Sequence, residues 1–333
     1  MKLKEIGEFG FIDRIAPLGS IRASGVIKGI GDDCAVMSVP GDDYLLVTTD
    51  LLVEKVHFLL DWASPQVIGA KSLAVNLSDI AACGGEPLDA FISIAVPEYI
   101  DVEWLDGFYK GMSEIARQYG VNLLGGDTTA SKGHLVINVA LTGRVPVDQV
   151  LFRHTARPGD ILVLTGPTGE SAAGTEILLS QAALPEAIFL PLIRSHLEPR
   201  PHVSEGRFLA QSGVCNAAID VSDGLSSDLG HICRDSGVGA VVYQDRLPQS
   251  PPLLQAASLL EKDPLSWMLH GGEDYVLLAS VKSEGLQDLL ASALQNGLFL
   301  IPIGETNDTG RMELIRPDDS RADLTAKGWN HFR

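Results

Sequence analysis

"PQVIGAKSLAVNLSDIAACGGEPLDAFISIAV", residues 65–96, places a helix-length apolar pattern directly before an apolar segment of strand length. The apolar residues of 65–83 follow roughly helical spacing, and Gly84 and Gly85 follow them as glycine often follows a helix. Residues 90–96 are rich in β-branched residues and predict a strand. A helix followed by a strand in this way is typical of mixed α/β architecture.

The same alternation continues on both sides of this segment. Other predicted strands lie at residues 44–49, 121–124, 135–142, 160–166, 217–221, 240–243, 275–281 and 299–303. Other predicted helices lie at 102–119, from about 171, and around residues 192, 208, 229, 254 and 289. The segment 145–158 mixes Pro, Gly and charge without a clear period, so we predict two α/β domains, 1–148 and 149–333.

Composition limits the classes of partner. The 333 residues are 45 % apolar and 20 % charged, as expected of a globular chain, and the formal net charge is -18. An anionic ligand must then be met by bound cations or a few Arg and Lys, so neither nucleic acid nor a membrane surface is expected as a partner. The widely spaced cysteines predict reduced thiols, and no apolar run approaches membrane-spanning length, so we expect a cytoplasmic protein.

Aspartates recur where apolar segments end. They are Asp50, Asp79, Asp127, Asp220 and Asp223, and the pair Asp32 and Asp33 lies in "GIGDDCAV". Ligands of open α/β proteins gather at the carboxyl ends of strands, so these carboxylates could converge. Taken singly, each also fits a turn or a helix N-cap. Asp79 fits less well, since a carboxylate near a helix C-terminus opposes the helix dipole by about 0.3 to 1 kcal/mol.

Converging carboxylates would require cations. Two unit charges about 4 Å apart repel by about 4 kcal/mol at an effective dielectric constant of about 20. Oxygen ligands without His or Cys favour hard ions, and Mg²⁺ is commonly held by carboxylates together with substrate phosphates. The pattern therefore indicates a nucleotide-phosphate site without the P-loop motif. The turn in "TGPTGESAAG" is a weak anion site, and Arg153 fits either a phosphate contact or a surface salt bridge.

Six motifs together resemble the thiamine-monophosphate kinase family and occur in family order, and the match extends from "GEFGFIDRI" at Gly7 to "KGWNHF" at Lys327. They are "GIGDDCAV", "TTDLLVEKVHF", "KSLAVNLSDIAACGGEP", "GGDTTAS", "AIDVSDGLSSDLGHI" and "HGGEDYVLL". The superfamily also contains aminoimidazole ribonucleotide synthetase, selenophosphate synthetase and a hydrogenase-maturation protein. Three features favour the kinase among them: "VEKVHF", "GGEDY" and the near-terminal "KGWNHF".

The resemblance implies a two-domain aminoimidazole ribonucleotide synthetase-like fold. Its N-terminal domain would pair with a second copy through a β-barrel-like interface, giving a homodimer. ATP and several Mg²⁺ ions would lie between the domains. The resemblance leaves open whether a monovalent cation also binds. The implied reaction is ATP-dependent phosphorylation of thiamine monophosphate to thiamine diphosphate by direct in-line transfer.

Residue roles follow from the same resemblance. The implied metal ligands are Asp33, Thr48, Thr49, Asp50, Asp79, Asp127, Asp220 and Asp223, of which Asp50, Asp127 and Asp223 are the expected catalytic residues. Implied ATP contacts are Gly126, Asp127, Arg153 and Ser222. Implied thiamine-phosphate contacts are His57, Glu273 and Trp329, although each also fits an ordinary packing or turn role. Asp32 is expected to stabilise the turn or to hold Asp33 in place, without binding a metal ion itself.

Two other functions remain compatible with the sequence. One is a different ATP-using enzyme of the superfamily, such as a cyclase or dehydratase; the selenium enzyme is disfavoured because no reactive Cys is found at the matching N-terminal position. The other is a Mg²⁺- and nucleotide-binding regulatory module, which would bind without turnover. Formation of thiamine diphosphate and ADP in equal amounts distinguishes the kinase from both.

Overall fold

The computed structural model describes residues 2–19, 22, 24–180 and 185–329. Two β-sheets with helices packed against them confirm the α/β prediction. The first sheet has the strand order β1-β2-β3-β6-β4-β5, and only β4 and β5 pair in parallel. Its strands are β1 (Val26–Lys28), β2 (Ala35–Ser38), β3 (Asp43–Val53), β4 (Glu86–Val96), β5 (Asn122–Ala130) and β6 (Val136–Pro146).

The N-terminal half of the chain also contains three helices: α1 (Leu3–Gly19), α2 (Pro65–Ala82) and α3 (Val102–Tyr119). Helix α2 begins where the sequence predicts, because Ser64 caps it by accepting the Val67 N–H and Pro65 occupies the first turn. It ends before Gly84, which takes a left-handed conformation at φ 70°. Helices α2 and α3 cover one face of the sheet and bury its apolar residues, while the other face stays partly exposed.

The second sheet has the order β13-β12-β9-β11-β7-β10-β8. Its strands are β7 (Ile161–Leu164), β8 (Cys215–Asp220), β9 (Gly239–Tyr243), β10 (Leu277–Val281), β11 (Ile301–Asn307), β12 (Met312–Ile315) and β13 (Arg321–Asp323). Its helices are α4 (Glu170–Ser180), α5 (Glu186–Leu197), α6 (Val203–Gln211), α7 (Leu225–Ser236), α8 (Pro251–Leu259), α9 (Pro264–His270) and α10 (Leu286–Gln295). Both faces are buried: Leu162 and Leu164 enter one core, and Val163 enters the other.

Helix α2 lies between the two sheets and contacts both. Its apolar residues fill the core of the first sheet, while Ala81 and Ala82 pack with Leu209 and Ala210 of α6. Residues near its C-terminus therefore face both halves of the chain. This position lets one helix bring side chains from distant sequence motifs together.

The strands β3, β4, β5 and β6 are all longer than predicted, and two of them carry predicted site residues. Strand β3 continues past Thr49 to Val53, because β6 offers a partner at every position from Pro146 back to Val136. Strand β5 likewise continues to Ala130 beside β4. Backbone pairing outweighs the low strand propensity of aspartate, so Asp50 and Asp127 lie within strands and not at their ends. Strand β8 ends at Asp220, one residue before the predicted end at Val221.

No helix in the described part of the chain has the length and apolar character needed to span a bilayer. The four cysteines are free thiols, with Cys34, Cys83 and Cys233 buried and Cys215 partly exposed.

Candidate active site

Strand β3 and helix α2 form one wall of the site. Alternation along β3 directs Thr48 and Asp50 toward the helix, and the Thr48 hydroxyl donates a short hydrogen bond to Asp79. The Asp50 N–H donates to the Asn76 side-chain oxygen at 3.1 Å. Asp79 lies near the C-terminal end of α2, as the sequence predicts, and the Thr48 hydroxyl partly offsets its unfavourable position against the helix dipole.

The opposite wall comes from the second sheet. Asp220, at the end of β8, is buried, and its Oδ2 accepts a hydrogen bond from the Ser78 hydroxyl of α2 at 2.6 Å. Ser222 also donates a side-chain hydrogen bond to Asp220. The serine that precedes Asp79 therefore joins the two halves of the chain, and Asp79 and Asp220 face the same space.

The pKa values of these carboxyl groups show how close the charges are. Burial, together with Asp220, raises the pKa of Asp50 to about 7. Burial raises the pKa of Asp220 to about 6, even though the Ser78 and Ser222 hydroxyls lower it. Burial and the charges of Asp50, Asp220 and Asp33 raise the pKa of Asp79 well above its usual range. The four carboxylates thus repel one another in a space that disfavours charge.

The pair Asp32 and Asp33 divides between two environments. Burial and the charges of Asp220 and Asp32 raise the pKa of Asp33, while Arg153 lowers it. Asp32 instead accepts the Asp33 N–H at 3.2 Å and lies 3.7 Å from Lys28 Nζ and 3.6 Å from His154 Nδ1. Asp33 therefore faces the carboxylates of Asp79 and Asp220, and Asp32 faces basic side chains.

Arg153 lies near both Asp32 and Asp33. Its Nε donates to Asp235 at 2.7 Å, and its charge also lowers the pKa of Asp32 and of Asp33. Arg153 therefore forms a salt bridge with Asp235, and a salt bridge was one of the two roles predicted for it. It also supplies positive charge beside the carboxylates.

The loop after β8 adds two more carboxyl groups. Burial, with the charges of Glu8 in α1 and of Asp220, raises the pKa of Asp223 to about 7. Asp228, which the sequence reasoning did not select, is buried and accepts the Gly224 N–H at 3.0 Å. Its pKa is raised by burial and by Asp223, Asp220 and Asp33. The motif "DGLSSDLGHI" contained Asp228, but only the fold shows that it points inward.

The donor set fits hard divalent cations. The contributed groups are carboxylate and hydroxyl oxygens, and the buried Asp33 Oδ2 has no hydrogen-bond partner among the described residues. Carboxylates so close together are stabilised by bound cations, and Mg²⁺ prefers oxygen ligands. The residues that could hold such ions are Asp33, Thr48, Asp50, Asp79, Asp220 and Asp223. We call them the acidic cluster.

Three predicted site residues lie elsewhere. Thr49 faces the other side of β3, where its hydroxyl accepts from Asn138 Nδ2 at 2.8 Å. Gly126 and Asp127 belong to the edge strand β5, and Asp127 is exposed, with its carboxylate accepting the Thr128 N–H at 2.9 Å. Asp127 is not among the charges that raise the pKa values of the acidic cluster.

The register of the first sheet gives the separation of Asp127 from the acidic cluster. Asp50 pairs with Val139, Val139 with Ile92, and Ile92 with Gly126, so the strands bearing Asp50 and Asp127 are three strand spacings apart. At about 4.8 Å for each spacing, this is about 14 Å along the sheet. Gly126 has φ 145°, and an added Cβ would lie 1.7 Å from the Ile92 carbonyl oxygen, so only glycine fits here.

The implied thiamine-phosphate residues lie in three different segments. Glu273 donates its N–H to the Ser222 carbonyl at 2.7 Å, and Trp329 donates its N–H to the Asp223 carbonyl at 3.0 Å. His57 follows β3, and its Nδ1 accepts the Val53 N–H at 2.9 Å. Glu273 and Trp329 therefore both contact the loop of the acidic cluster.

The glycine turn before α4 does not offer a vacant anion site. Its Gly169 and Ser171 N–H groups donate to Asp274 at 2.6 and 3.2 Å. An internal carboxylate thus takes the place at the helix N-terminus that an anion would need.

Besides Asp228, the sequence reasoning missed two functional candidates. Lys71 of α2 and His196 of α5 lie 3.3 and 3.1 Å from the two carboxylate oxygens of Glu273. Each alone resembles an ordinary helix residue in the sequence. Helical spacing placed Lys71 on α2, but nothing in the sequence linked it to Glu273.

The fold and the site together define an AIR synthase related protein. The N-terminal domain of that family matches residues 31–145, and its C-terminal domain matches residues 157–316. These two spans contain the acidic cluster and Glu273.

The particular family follows from full-length relatives. The thiamine-monophosphate kinase of Escherichia coli (strain K12) is 38% identical over 332 residues, covering 98% of this chain and 98% of that protein. The Bacillus subtilis (strain 168) thiamine-monophosphate kinase is 37% identical, covering 98% and 99%. A solved structure described as AaThiL complexed with AMPPCP and TMP superposes with a TM-score of 0.87 at 33% identity, covering 99% of both chains. The chain belongs to the thiamine-monophosphate kinase family.

Proposed function

We propose that this protein transfers the γ-phosphoryl group of ATP to thiamine monophosphate, giving thiamine diphosphate and ADP. One observation carries the proposal: carboxylates from four distant motifs meet in one buried cluster at the contact between the two sheets. The similar structure with AMPPCP and TMP supports ATP and thiamine monophosphate as its ligands. The match to these kinases over 98% or more of both chains supports the same two-domain enzyme.

Mg²⁺ is the cation that we assign to the acidic cluster. Mg²⁺ held by these residues would supply positive charge that neutralises the phosphates. The chain supplies the ligands, and the Ser78 and Thr48 hydroxyls orient Asp220 and Asp79. Arg153, beside Asp33, adds positive charge at the same edge. Ser222 and Gly126 remain the proposed ATP contacts.

The acceptor requires no general base. A phosphate monoester has its second pKa at about 6, so near neutral pH the acceptor is mostly a dianion. The work of the site is to bring two anions together in line, which depends on charge neutralisation and alignment. Glu273 supplies a negative charge and Trp329 an aromatic face for the cationic thiazolium ring, and His57 is the third proposed contact of the substrate.

We also propose a homodimer through the exposed face of the first sheet, with a β-barrel-like interface. Three large apolar residues of this face are exposed: Leu51, Phe91 and Leu124. The separation of about 14 Å between the strands of Asp50 and Asp127 exceeds the reach of two carboxylates on one ion. In a dimer, Gly126 and Asp127 of one subunit would complete the acidic cluster of the other.

The domain limits and the compartment remain part of the proposal. We place the division at residues 1–148 and 149–333, since Pro146 ends the first sheet and Ile161 begins the second. A cytoplasmic location agrees with a reaction that uses ATP and with the reduced thiols.

The test is incubation of the purified protein with Mg-ATP and thiamine monophosphate, followed by chromatography of the thiamine compounds. We expect thiamine diphosphate to accumulate with ADP, and Asp50→Asn to abolish it while the circular dichroism spectrum is retained. Wild-type-like turnover by Asp50→Asn would remove the role assigned to the acidic cluster. ADP release without thiamine diphosphate would indicate another ATP-using reaction of the superfamily.

A further inference from the structure

The carboxylate of Glu273 is held from both sides by residues of different domains. Lys71 Nζ, from α2, lies 3.3 Å from Oε1, and His196 Nδ1, from α5, lies 3.1 Å from Oε2. The side chains of Lys71 and His196 are 4% and 3% exposed, whereas that of Glu273 is 28% exposed. The two supporting groups are therefore buried, and the carboxylate they hold reaches the surface.

The hydrogen bonds around His196 fix its tautomer. Its Nδ1 also lies 3.0 Å from the Thr175 hydroxyl, whose own proton is donated to the Ser171 carbonyl. A carboxylate can only accept, so the 3.1 Å contact with Glu273 places the proton of the neutral ring on Nδ1, while the Ser171 hydroxyl lies 3.2 Å from the same nitrogen. Burial and the charge of Lys71 lower the pKa of His196, which keeps the ring neutral.

Lys71 is held mainly by its charge. Its Nζ has no hydrogen bond of good geometry to any acceptor in the described part of the chain, so attraction to Glu273 is that of an ion pair. A buried ammonium without a counter-ion is costly, so the Glu273 carboxylate stabilises Lys71 at this position. The charge of Lys71 in turn favours the ionised form of Glu273.

The backbone of Glu273 is also constrained. Its φ is 63°, in the left-handed region that non-glycine residues seldom adopt, and its N–H donates to the Ser222 carbonyl. Ser222 in turn donates to Asp220 of the acidic cluster. The position of this carboxylate is thus set by both domains and by the loop that carries the acidic cluster.

We propose that Lys71 and His196 are positioning residues that keep Glu273 ionised and aimed at the cationic ring of the substrate. This inference rests on the proposed function. It makes recognition of the substrate depend on contact between the domains, because Lys71 reaches Glu273 from the helix of the first sheet. Burial raises the pKa of Glu273, but the charge of Lys71 and the hydrogen bond from His196 outweigh it and lower this pKa to about 2. The other ionisable groups affected by Glu273 are Asp274 and Tyr275.

Kinetics distinguish positioning from a general structural role. Lys71→Met should raise KM for thiamine monophosphate by about 10- to 100-fold, the ratio that corresponds to weakening one charged contact between Glu273 and the substrate, with kcat and KM for ATP changed little. The ratio of variant to wild-type KM should grow as pH falls, since the unpaired carboxyl of the variant becomes protonated. His196→Leu should act in the same direction, and His196→Asn, which keeps a donor near Nδ1, should restore most of the affinity.

The matched control is Lys262→Met, which breaks the surface pair between Lys262 and Glu176 at 2.8 Å and should leave all three constants unchanged. Equal increases of both KM values, or a pH-independent ratio, would overturn the proposal. Should Lys71→Met fail to fold, His196→Leu and His196→Asn provide the same comparison.

A second measurement does not depend on turnover. Carbon-13 NMR of the labelled glutamate side chains, with the Glu273 signal assigned through Glu273→Gln, reports ionisation directly. We expect no titration of Glu273 between pH 8 and pH 5 in the wild type and a titration in Lys71→Met. Titration in the wild type would refute the positioning role. If the wild type shows this behaviour but neither binds nor phosphorylates thiamine monophosphate, only the proposed function fails.

Discussion

Replacing Asp50 by asparagine should stabilise the protein in the presence of a chelator. Burial and Asp220 raise the pKa of Asp50 from 3.8 to about 7, so the ionised carboxylate opposes folding. A rise of this size corresponds to about 4 kcal/mol, at about 1.4 kcal/mol for each factor of ten in the ionisation equilibrium. The side-chain amide keeps the shape and removes the charge.

The sign of the pH dependence follows from the raised pKa. Below pH 3.8 the carboxyl is protonated in both the folded and the unfolded chain, so it has no effect on stability. Above about pH 7 the destabilisation is complete, so the wild type loses stability as pH rises through this window. The advantage of Asp50→Asn should therefore fall from about 4 kcal/mol at pH 8 to below about 2 kcal/mol at pH 5.

The assay is urea denaturation in EDTA at both pH values, with the free energy of unfolding from the midpoint and slope. Asp106→Asn, on the exposed surface of α3, is the matched control and should change stability by less than about 0.5 kcal/mol. A variant less stable than the wild type at pH 8, or an advantage equal at both pH values, would refute the reasoning.

Three further outcomes are expected. Gly126→Ala should lower stability by at least about 2 kcal/mol in thermal denaturation, because its Cβ would lie 1.7 Å from a backbone oxygen, whereas Gly125→Ala, with nothing within 4 Å, should not. His57→Ala and Trp329→Ala should raise KM for thiamine monophosphate more than KM for ATP; equal effects would remove the basis for placing the vitamin there. Phe91→Lys, on the exposed sheet face, should convert a dimer to a monomer in light scattering, and an unchanged mass would place the interface elsewhere.

Much of the fold was predictable because hydrophobic periodicity is a local signal. Helix α2 matches its predicted range to one residue, and α3 matches at both ends. Strand β3 was underestimated because its second half contains Asp50, and only its pairing with the full length of β6 makes that half a strand. Pairing partners are set by the tertiary fold, so a local pattern does not reveal where such a strand ends.

The acidic cluster was predictable as a set, since aspartates at the ends of apolar segments are an unusual repetition. The position of Asp127 was not, because strand order decides that β5 lies three strands from β3. Lys71 and His196 escaped notice for the same kind of reason. Their role follows only from their contacts with Glu273. These contacts connect α2, α5 and a loop that are far apart in the chain.

Phosphorus NMR of one reaction mixture tests the central claim most directly. Protein, Mg-ATP and thiamine monophosphate are followed over time, with Asp50→Asn as the parallel sample. The account predicts that the thiamine monophosphate signal is replaced by the two signals of thiamine diphosphate, in step with ADP, and that the variant leaves the spectrum unchanged. Release of inorganic phosphate from ATP while thiamine monophosphate persists would contradict it.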